Sequence, residues 1–355
     1  MRMIEADSAE QYLRESGRLE PHETISASTL AGGVSNVVLR CESNLRPAFI
    51  LKQSRPQLRT ADPWFCSPER IWREVATLQL CNQILLRPSM HPSRAIVPEL
   101  LFADHENFAF AMTAAPEPHC TWKFSLLQGE CSHDIAADCG TLLGTLHAET
   151  WHDPEVARQF DDRNFFDALR LDPYYRFAAE KDQEFRDDLL TLVETVWQQR
   201  HALVHGDFSP KNLLTFSNGC MLIDFEVGHY GDPAFDLGFF LTHLVLKAIH
   251  RSHDANAYLS LADHFWDRYA AVVQPRFDAG TQVASTWNQL QARGLQNLAG
   301  CLIARIAGKS KIDYPVDPHA VRTIVRSLFR ERPADWYAAR PMVVDAVNRA
   351  KNRLP

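Results

Sequence analysis

Ten consecutive residues hold the densest chemistry in the chain: Leu203-Val204-His205-Gly206-Asp207-Phe208-Ser209-Pro210-Lys211-Asn212. Asp207 stands five residues before Asn212, and Asp224, in Ile223-Asp224-Phe225-Glu226, follows Asp207 by seventeen. Leu213 to Phe216 and Cys220 to Ile223 read as short strands, and the Asn218-Gly219 pair between them is a strong hairpin-turn signal. A two-residue turn there pairs 217 with 220 and sets 213 against 224, so Asn212 and Asp224 meet at the open end of one hairpin. A carboxylate and a carboxamide oxygen brought together suit a hard cation such as Mg²⁺. A metal clamp on phosphates and a carboxylate beside the incoming oxygen are what phosphoryl transfer requires. Either piece alone would be an ordinary turn or strand end; order, spacing and the hairpin together carry the chemical reading. His205 is read as holding the loop by a hydrogen bond rather than as a proton carrier.

Those residues need a scaffold, and the patterning supplies one. Asp7 and Glu10 resemble a capping box for a short helix ending near Gly17. Val34 to Glu42 and Ala48 to Ser54 are strand-like, with Ser43 to Pro47 as the turn. A helix follows over Pro68 to Ile84, its apolar stripe being Ile71, Val75 and Leu78. Two further strands are expected near Val97 to Ala103 and Phe108 to Thr113. Ala114-Ala115-Pro116-Glu117-Pro118 breaks the pattern, and the remainder is mainly helical: His133 to Thr150, then about 182–200, 237–249, 257–272 and 285–307. The fold class is α+β and bilobal, with a small mixed β-sheet lobe over 1–115 and a larger, mainly helical lobe over 116–355.

The set His-Gly-Asp-x-x-x-x-Asn, then Ile-Asp-x-Glu, then Gly-Asp-Pro-x-x-Asp-Leu at 231–237 resembles the aminoglycoside phosphotransferase and choline kinase superfamily, protein-kinase-like enzymes acting on small molecules. The protein-kinase catalytic loop has the same Asp-to-Asn interval. The resemblance implies ATP and Mg²⁺ as cofactors, Asp207 as the base that takes the hydroxyl proton, and Asn212 and Asp224 as metal ligands. Glu226 lies two residues beyond Asp224, on the same side of an extended segment, and either assists the metal or is a surface carboxylate. Asp236 is economically an N-cap for the helix that follows. By the resemblance it braces the catalytic loop, and Asp232 and Asp236 are both taken as structural support.

On the nucleotide side, Gly32-Gly33-Val34-Ser35 lies between two strand candidates. Its glycines would let backbone approach phosphates and Ser35 could donate a hydrogen bond, though a plain hairpin turn accounts for it equally well. Lys52, on the following strand, is placed to meet the α- and β-phosphates. At about 100° per residue Glu74 falls beside the buried stripe of its helix, whereas Glu69 points to solvent, so Glu74 is chosen as the partner of Lys52. The resemblance makes Met112 to Pro116 a hinge, with backbone at Met112 and Ala114 bonding adenine.

The acceptor is expected to be a small hydroxyl compound. Only twelve residues separate Asp224 from Asp236, too few for a peptide-docking segment, and no Ala-Pro-Glu occurs between them. Trp122, Lys123, Arg293, Asn297 and Arg305 are expected to flank the cleft; Arg305 either touches substrate or forms a buried salt bridge. A nucleotide-binding protein without turnover and an AMP-transferring enzyme are the competing readings. Retention of Lys52, Glu74, Asp207, Asn212 and Asp224 together speaks against the first.

Bulk properties set the limits. The chain has 355 residues and a formal net charge of −7, giving no general drive toward nucleic acid or anionic membrane. No run of about 18 apolar residues and no signal-like N-terminus occurs, so a soluble cytoplasmic protein is expected. The eight cysteines form no Cys-x-x-Cys and read as free thiols. Residues 306–355 carry ten Lys or Arg against five Asp or Glu. If that end borders the cleft, its field favours a neutral or anionic acceptor over a polycation.

Overall fold

The computed structural model describes residues 2–30, 36–55, 67–88, 90–278 and 284–351. The expected loop residues Gly32, Gly33 and Ser35 lie outside them. A short helix α1 (Ala9–Glu15) precedes three strands, β1 (Ile25–Thr29), β2 (Asn36–Ser43) and β3 (Phe49–Ser54). Helix α2 (Arg70–Leu85) and strands β4 (Ala95–Ile96), β5 (Leu100–Asp104) and β6 (Ala109–Thr113) follow. The larger sheet has the order β1-β2-β3-β6-β5 and is antiparallel at every pairing. Its register sets Lys52 opposite Val38 on one side and Phe110 on the other. Strand β3 is buried along its whole length, so Lys52 is held in the sheet's interior rather than at a solvated edge.

The capping box does not form. Ser8 is the N-cap residue and makes no side-chain cap bond; Glu10 instead pairs with Arg14 one turn on, at 2.8 Å. The i,i+4 ion pair competes successfully because Arg14 is the basic residue of the helix's last turn.

Beyond β6 come strand β7 (Cys120–Thr121) and helices α3 (Trp122–Gln128), α4 (His133–Glu149) and α5 (Pro154–Gln159). A continuous helical rod then runs from α6 (Asn164–Phe166) through a π-helical stretch (Asp167–Arg176) to α7 (Phe177–Lys181), followed by α8 (Arg186–Gln198). Strands β8 (Ala202–Val204), β9 (Leu213–Phe216), β10 (Gly219–Leu222) and β11 (His229–Gly231) frame the Asp207 loop. The chain closes with α9 (Ala234–His250), α10 (Ala255–Asp278), α11 (Ala284–Ala307), α12 (Pro318–Glu331) and α13 (Trp336–Lys351). Helix α9 is buried from Ala234 to Ile249, because its apolar residues surround it and α10 and α11 pack on it. No helix among the described residues is long and apolar enough to cross a membrane. The architecture is thus α+β and bilobal, an antiparallel sheet with α2 followed by a mainly helical part.

The hairpin register differs from expectation by two residues. Gly219 pairs with Phe216 and Leu222 with Leu213, so Ser217-Asn218 forms the turn. Gly219 is required inside the strand: a Cβ there would lie 2.2 Å from the Arg94 carbonyl oxygen, and its φ is +153°. The Asn-Gly signal thus came from a glycine that lets β10 approach the segment leading into β4. A shift of two preserves the alternation of faces. The Ile223 amide donates to the Asn212 carbonyl at 3.0 Å, which sets Asn212 beside the residue that precedes Asp224.

Candidate active site

Asp207 is 2% exposed and surrounded by donors. Its Oδ2 accepts from Asn212 Nδ2 at 2.8 Å and pairs with Arg170 at 3.0 Å and Lys211 at 2.9 Å. Asp207 Oδ1 is buried with no partner among the described residues. Burial alone would raise this carboxyl, but Arg170 and Lys211 outweigh it and hold Asp207 below the usual carboxylate range. The site therefore presents an ionised carboxylate with one oxygen committed and one buried oxygen without a partner among the described residues.

The loop is fixed from behind. Asp236 is the third residue of α9, not its N-cap, and its carboxylate accepts from the amides of His205 at 2.7 Å and Gly206 at 2.9 Å. Gly206 has φ +76°, which a side chain rarely adopts. His147 reaches Asp236 at 3.3 Å, and His205 Nδ1 accepts from the Asp207 amide at 3.1 Å, the loop-holding bond expected of it. Asp232 accepts two bonds from Arg293, at 2.8 and 3.1 Å. Arg170 was not foreseen. It projects from the π-helical stretch, which contains Pro173, and also donates to the Gly206 carbonyl at 2.6 Å. A π-helical segment at a functional site is a recurrent association, but no residue pattern around 170 announces it.

Across from this loop, Lys52 Nζ donates to Glu74 at 2.7 Å and to Asp224 at 2.9 Å, which bears out the helical-wheel choice of Glu74 over the exposed Glu69. Burial is the largest influence on Lys52 and lowers it, yet the Asp224, Glu74 and Glu226 carboxylates together raise it above the ordinary lysine range. Asp224 has φ +71°, a left-handed conformation that aspartate tolerates better than most residues. The buried ring of Phe225 anchors it, 5.0 Å from His205. Oxygens of Glu74, Asp224 and Glu226 lie within 4.8 Å of one another. Such an all-oxygen set fits a hard divalent cation, and Glu74 Oε2 is a buried oxygen without a partner among the described residues. Glu226 is 8% exposed, so it is not a surface carboxylate. It bonds Arg70 at 3.2 Å and Asn36 at 3.3 Å, tying the site to α2 and β2.

Several residues expected at the cleft are committed elsewhere. Trp122 is 1% exposed and stacks on Phe240, because it lies on the inward face of α3. Asn297 accepts from the buried Tyr175 hydroxyl at 2.8 Å, and Arg293 serves Asp232. Arg305 makes no salt bridge among the described residues; its partners are the hydroxyls of Tyr174 at 3.0 Å and Ser310 at 2.8 Å. The basic C-terminal segment is paired away from the site: Arg322 and Arg326 meet Asp182 and Glu184, and Arg340 meets Asp263. Met112 is nearly buried within β6 and Ala114 follows that strand directly.

The family model described as "Phosphotransferase enzyme family" matches residues 26–272. Methylthioribose kinase of Yersinia pseudotuberculosis serotype O:1b (strain IP 31758) is 23% identical over 276 residues, 68% of this chain and 64% of that protein. Methylthioribose kinase of Escherichia coli O45:K1 (strain S88 / ExPEC) is 25% identical over 296 residues, 71% of this chain and 66% of that protein. The chain therefore spans about two thirds of the length of these curated relatives. The crystal structure of choline kinase from Cryptosporidium parvum Iowa II superposes with a TM-score of 0.51 at 13% identity, over 98% of this chain and 96% of that one, a likeness of fold. The family match takes in β1 to β11, Lys52, Glu74, Asp207, Asn212 and Asp224 together, and on it the chain belongs to the phosphotransferase enzyme family.

Proposed function

We propose that the chain is an ATP- and Mg²⁺-dependent kinase that phosphorylates a hydroxyl group of a small molecule, with Asp207 as the catalytic base. The observation that carries this reading is the buried, ionised Asp207, whose Oδ1 has no partner among the described residues, in one chain with the buried Lys52–Glu74–Asp224 cluster. In this reading residues 1–115 hold the nucleotide and 116–355 supply the catalytic loop and the acceptor pocket. Asp207 Oδ1 receives the acceptor hydroxyl and takes its proton as the oxygen attacks; Arg170, Lys211 and Asn212 keep the other oxygen fixed. Lys52 positions the phosphates and Glu74 fixes Lys52. Asn212 and Asp224 would hold Mg²⁺, which when bound supplies neutralisation of phosphate charge. Met112 and Ala114 backbone at the hinge would receive the adenine, and Gly32, Gly33 and Ser35 the phosphates. The names of the relatives, methylthioribose kinase and choline kinase, support a small hydroxyl acceptor.

The test is ADP release from Mg·ATP over sugars, amino alcohols, nucleosides, hydroxy acids and sugar phosphates, with the product's mass read for an added phosphoryl or adenylyl group. Acceptor-dependent ADP and a phosphorylated product are expected. An adenylylated product, or no acceptor-dependent ADP with any class, would overturn the reading.

A further inference from the structure

From Arg170, which holds Asp207, the helical part of the chain leads to further cations, Arg305 and Lys247, that the catalytic scheme does not use. Arg170, bonded to Asp207, lies over the rings of Tyr174 at 5.9 Å and Phe239 at 5.8 Å. Arg305 donates to the Tyr174 hydroxyl at 3.0 Å. Phe239 meets the His243 ring edge-on at 5.2 Å. One turn further along α9, Lys247 is 1% exposed and its Nζ lies 5.4 Å from the Tyr314 ring centre. Contact by contact, the chain of groups runs from the candidate base to Lys247.

Three polar atoms in this cluster are buried without a partner among the described residues: His243 Nε2, Arg305 Nε and the Tyr314 hydroxyl. Among the described residues Lys247 Nζ finds only the His243 carbonyl of its own helix as a hydrogen-bond acceptor, at 3.3 Å. A buried ammonium satisfied by one neutral carbonyl is costly unless an anion arrives. Burial first, then Lys123 and Arg305, push Lys247 down to about 7, and Asp313 alone opposes them. His243 is held well below its ordinary value by burial and by Arg305, Lys247, Lys211 and Lys123. The rim already draws in a carboxylate, since exposed Asp313 pairs with Lys123 at 2.6 Å.

We propose that the phosphoryl acceptor carries an anionic group, a carboxylate or a phosphate monoester, received by Lys247, Arg305, His243 and Tyr314 while its hydroxyl lies at Asp207. The proposal rests on the kinase reading for the hydroxyl's fate but not for the anion site itself. The anion supplies oxygens to the three unpartnered donors, and its charge offsets the crowded cations.

Two measurements on the full chain separate the two claims. In the first, Tm is followed with inorganic phosphate or acetate added, in saturating Mg·ADP. Stabilisation of the parent chain that is lost in Lys247→Met and Arg305→Gln is expected; equal shifts in parent and variants, or none in the parent, would overturn the anion site whatever the activity. In the second, matched acceptors are compared: a hydroxy acid with its amide, and a sugar phosphate with its sugar. The preferred acceptor is expected in one anionic arm, which also distinguishes carboxylate from phosphate. Its kcat/KM ratio over the neutral partner should fall roughly 10- to 100-fold in Lys247→Met or, should that variant not fold, in Arg305→Gln. A parent that prefers neutral or cationic acceptors, or variants that keep the ratio, would contradict the proposal. Absence of turnover with every acceptor would instead count against the kinase reading alone, leaving the Tm result to decide the pocket.

Discussion

Lys52 and Glu74 are both almost fully buried and bonded to each other, and Lys52 also bonds Asp224. Removing Lys52 leaves the buried Glu74 carboxylate uncompensated. Lys52→Ala should therefore lower stability by about 3–5 kcal/mol as well as impair phosphate positioning. The double variant Lys52→Met/Glu74→Leu should regain most of that stability and none of the activity. Urea melts of the single and double variants check this; a double variant no more stable than Lys52→Ala would mean the pair is not an isolated buried unit. This pairing was legible in the sequence because α2 is amphipathic and one angular step separates Glu74 from the stripe of Ile71, Val75 and Leu78. Asp207, Asn212 and Asp224 were legible because the hairpin compresses them into one short stretch. Arg170 was not, since it lies in a π-helical stretch for which the sequence carries no recognisable pattern. Of the proposed anion pocket the sequence offered Arg305, with Lys123 nearby, but not His243, Lys247 or Tyr314, which no spacing connects to them.

At the scale of elements, the sequence placed β2, β3, β5, β6, β9 and β10 and helices α1, α2, α4 and α8 to α11 within a few residues, yet misread how two of the strands meet. The Asn218-Gly219 pair looked like a turn, but Gly219 serves the close approach of β10 to the chain at Arg94. Gly219→Ala should cost about 1–3 kcal/mol through overpacking against backbone that cannot retreat. Thermal unfolding of that variant beside Asn218→Ala tests the point: an unaffected Gly219→Ala protein would mean that β4 can shift. Helix α11 offers the complementary lesson. Its Arg293 and Asn297 were expected at the cleft because they are polar, but they turn inward to Asp232 and Tyr175, where polar groups in a core must find partners.

The whole molecule carries a set of buried neutral histidines with a shared consequence for stability. Burial holds His229 down to about 3 and His201 down to about 4, and lowers His205 and His243 as well. In the unfolded chain each takes a proton near pH 6.5, whereas in the folded chain each takes it only at lower pH. The unfolded state then binds more protons, so stability is full above about pH 7 and declines as pH falls below 6.5. His229 alone contributes a loss of about 2 kcal/mol between pH 7 and pH 5. Denaturant melts across that range should show the decline, reduced in His229→Gln; a flat profile would mean these rings protonate in the folded state. The surface charge told less at this scale. In the basic C-terminal segment Arg322, Arg326 and Arg340 are paired with Asp182, Glu184 and Asp263, and the cations of the proposed anion site lie outside that segment.

Asp207→Asn tests the central claim most directly. The substitution keeps the size of the side chain, and the loop is held by Asp236 rather than by Asp207 itself. The variant should fold and bind Mg·ATP with near-parental affinity, yet lose kcat for the acceptor found in the ADP-release screen by about 10²- to 10⁴-fold. Equal kcat in variant and parent, at equal nucleotide affinity, would contradict Asp207 as the base and with it the mechanism proposed for this chain.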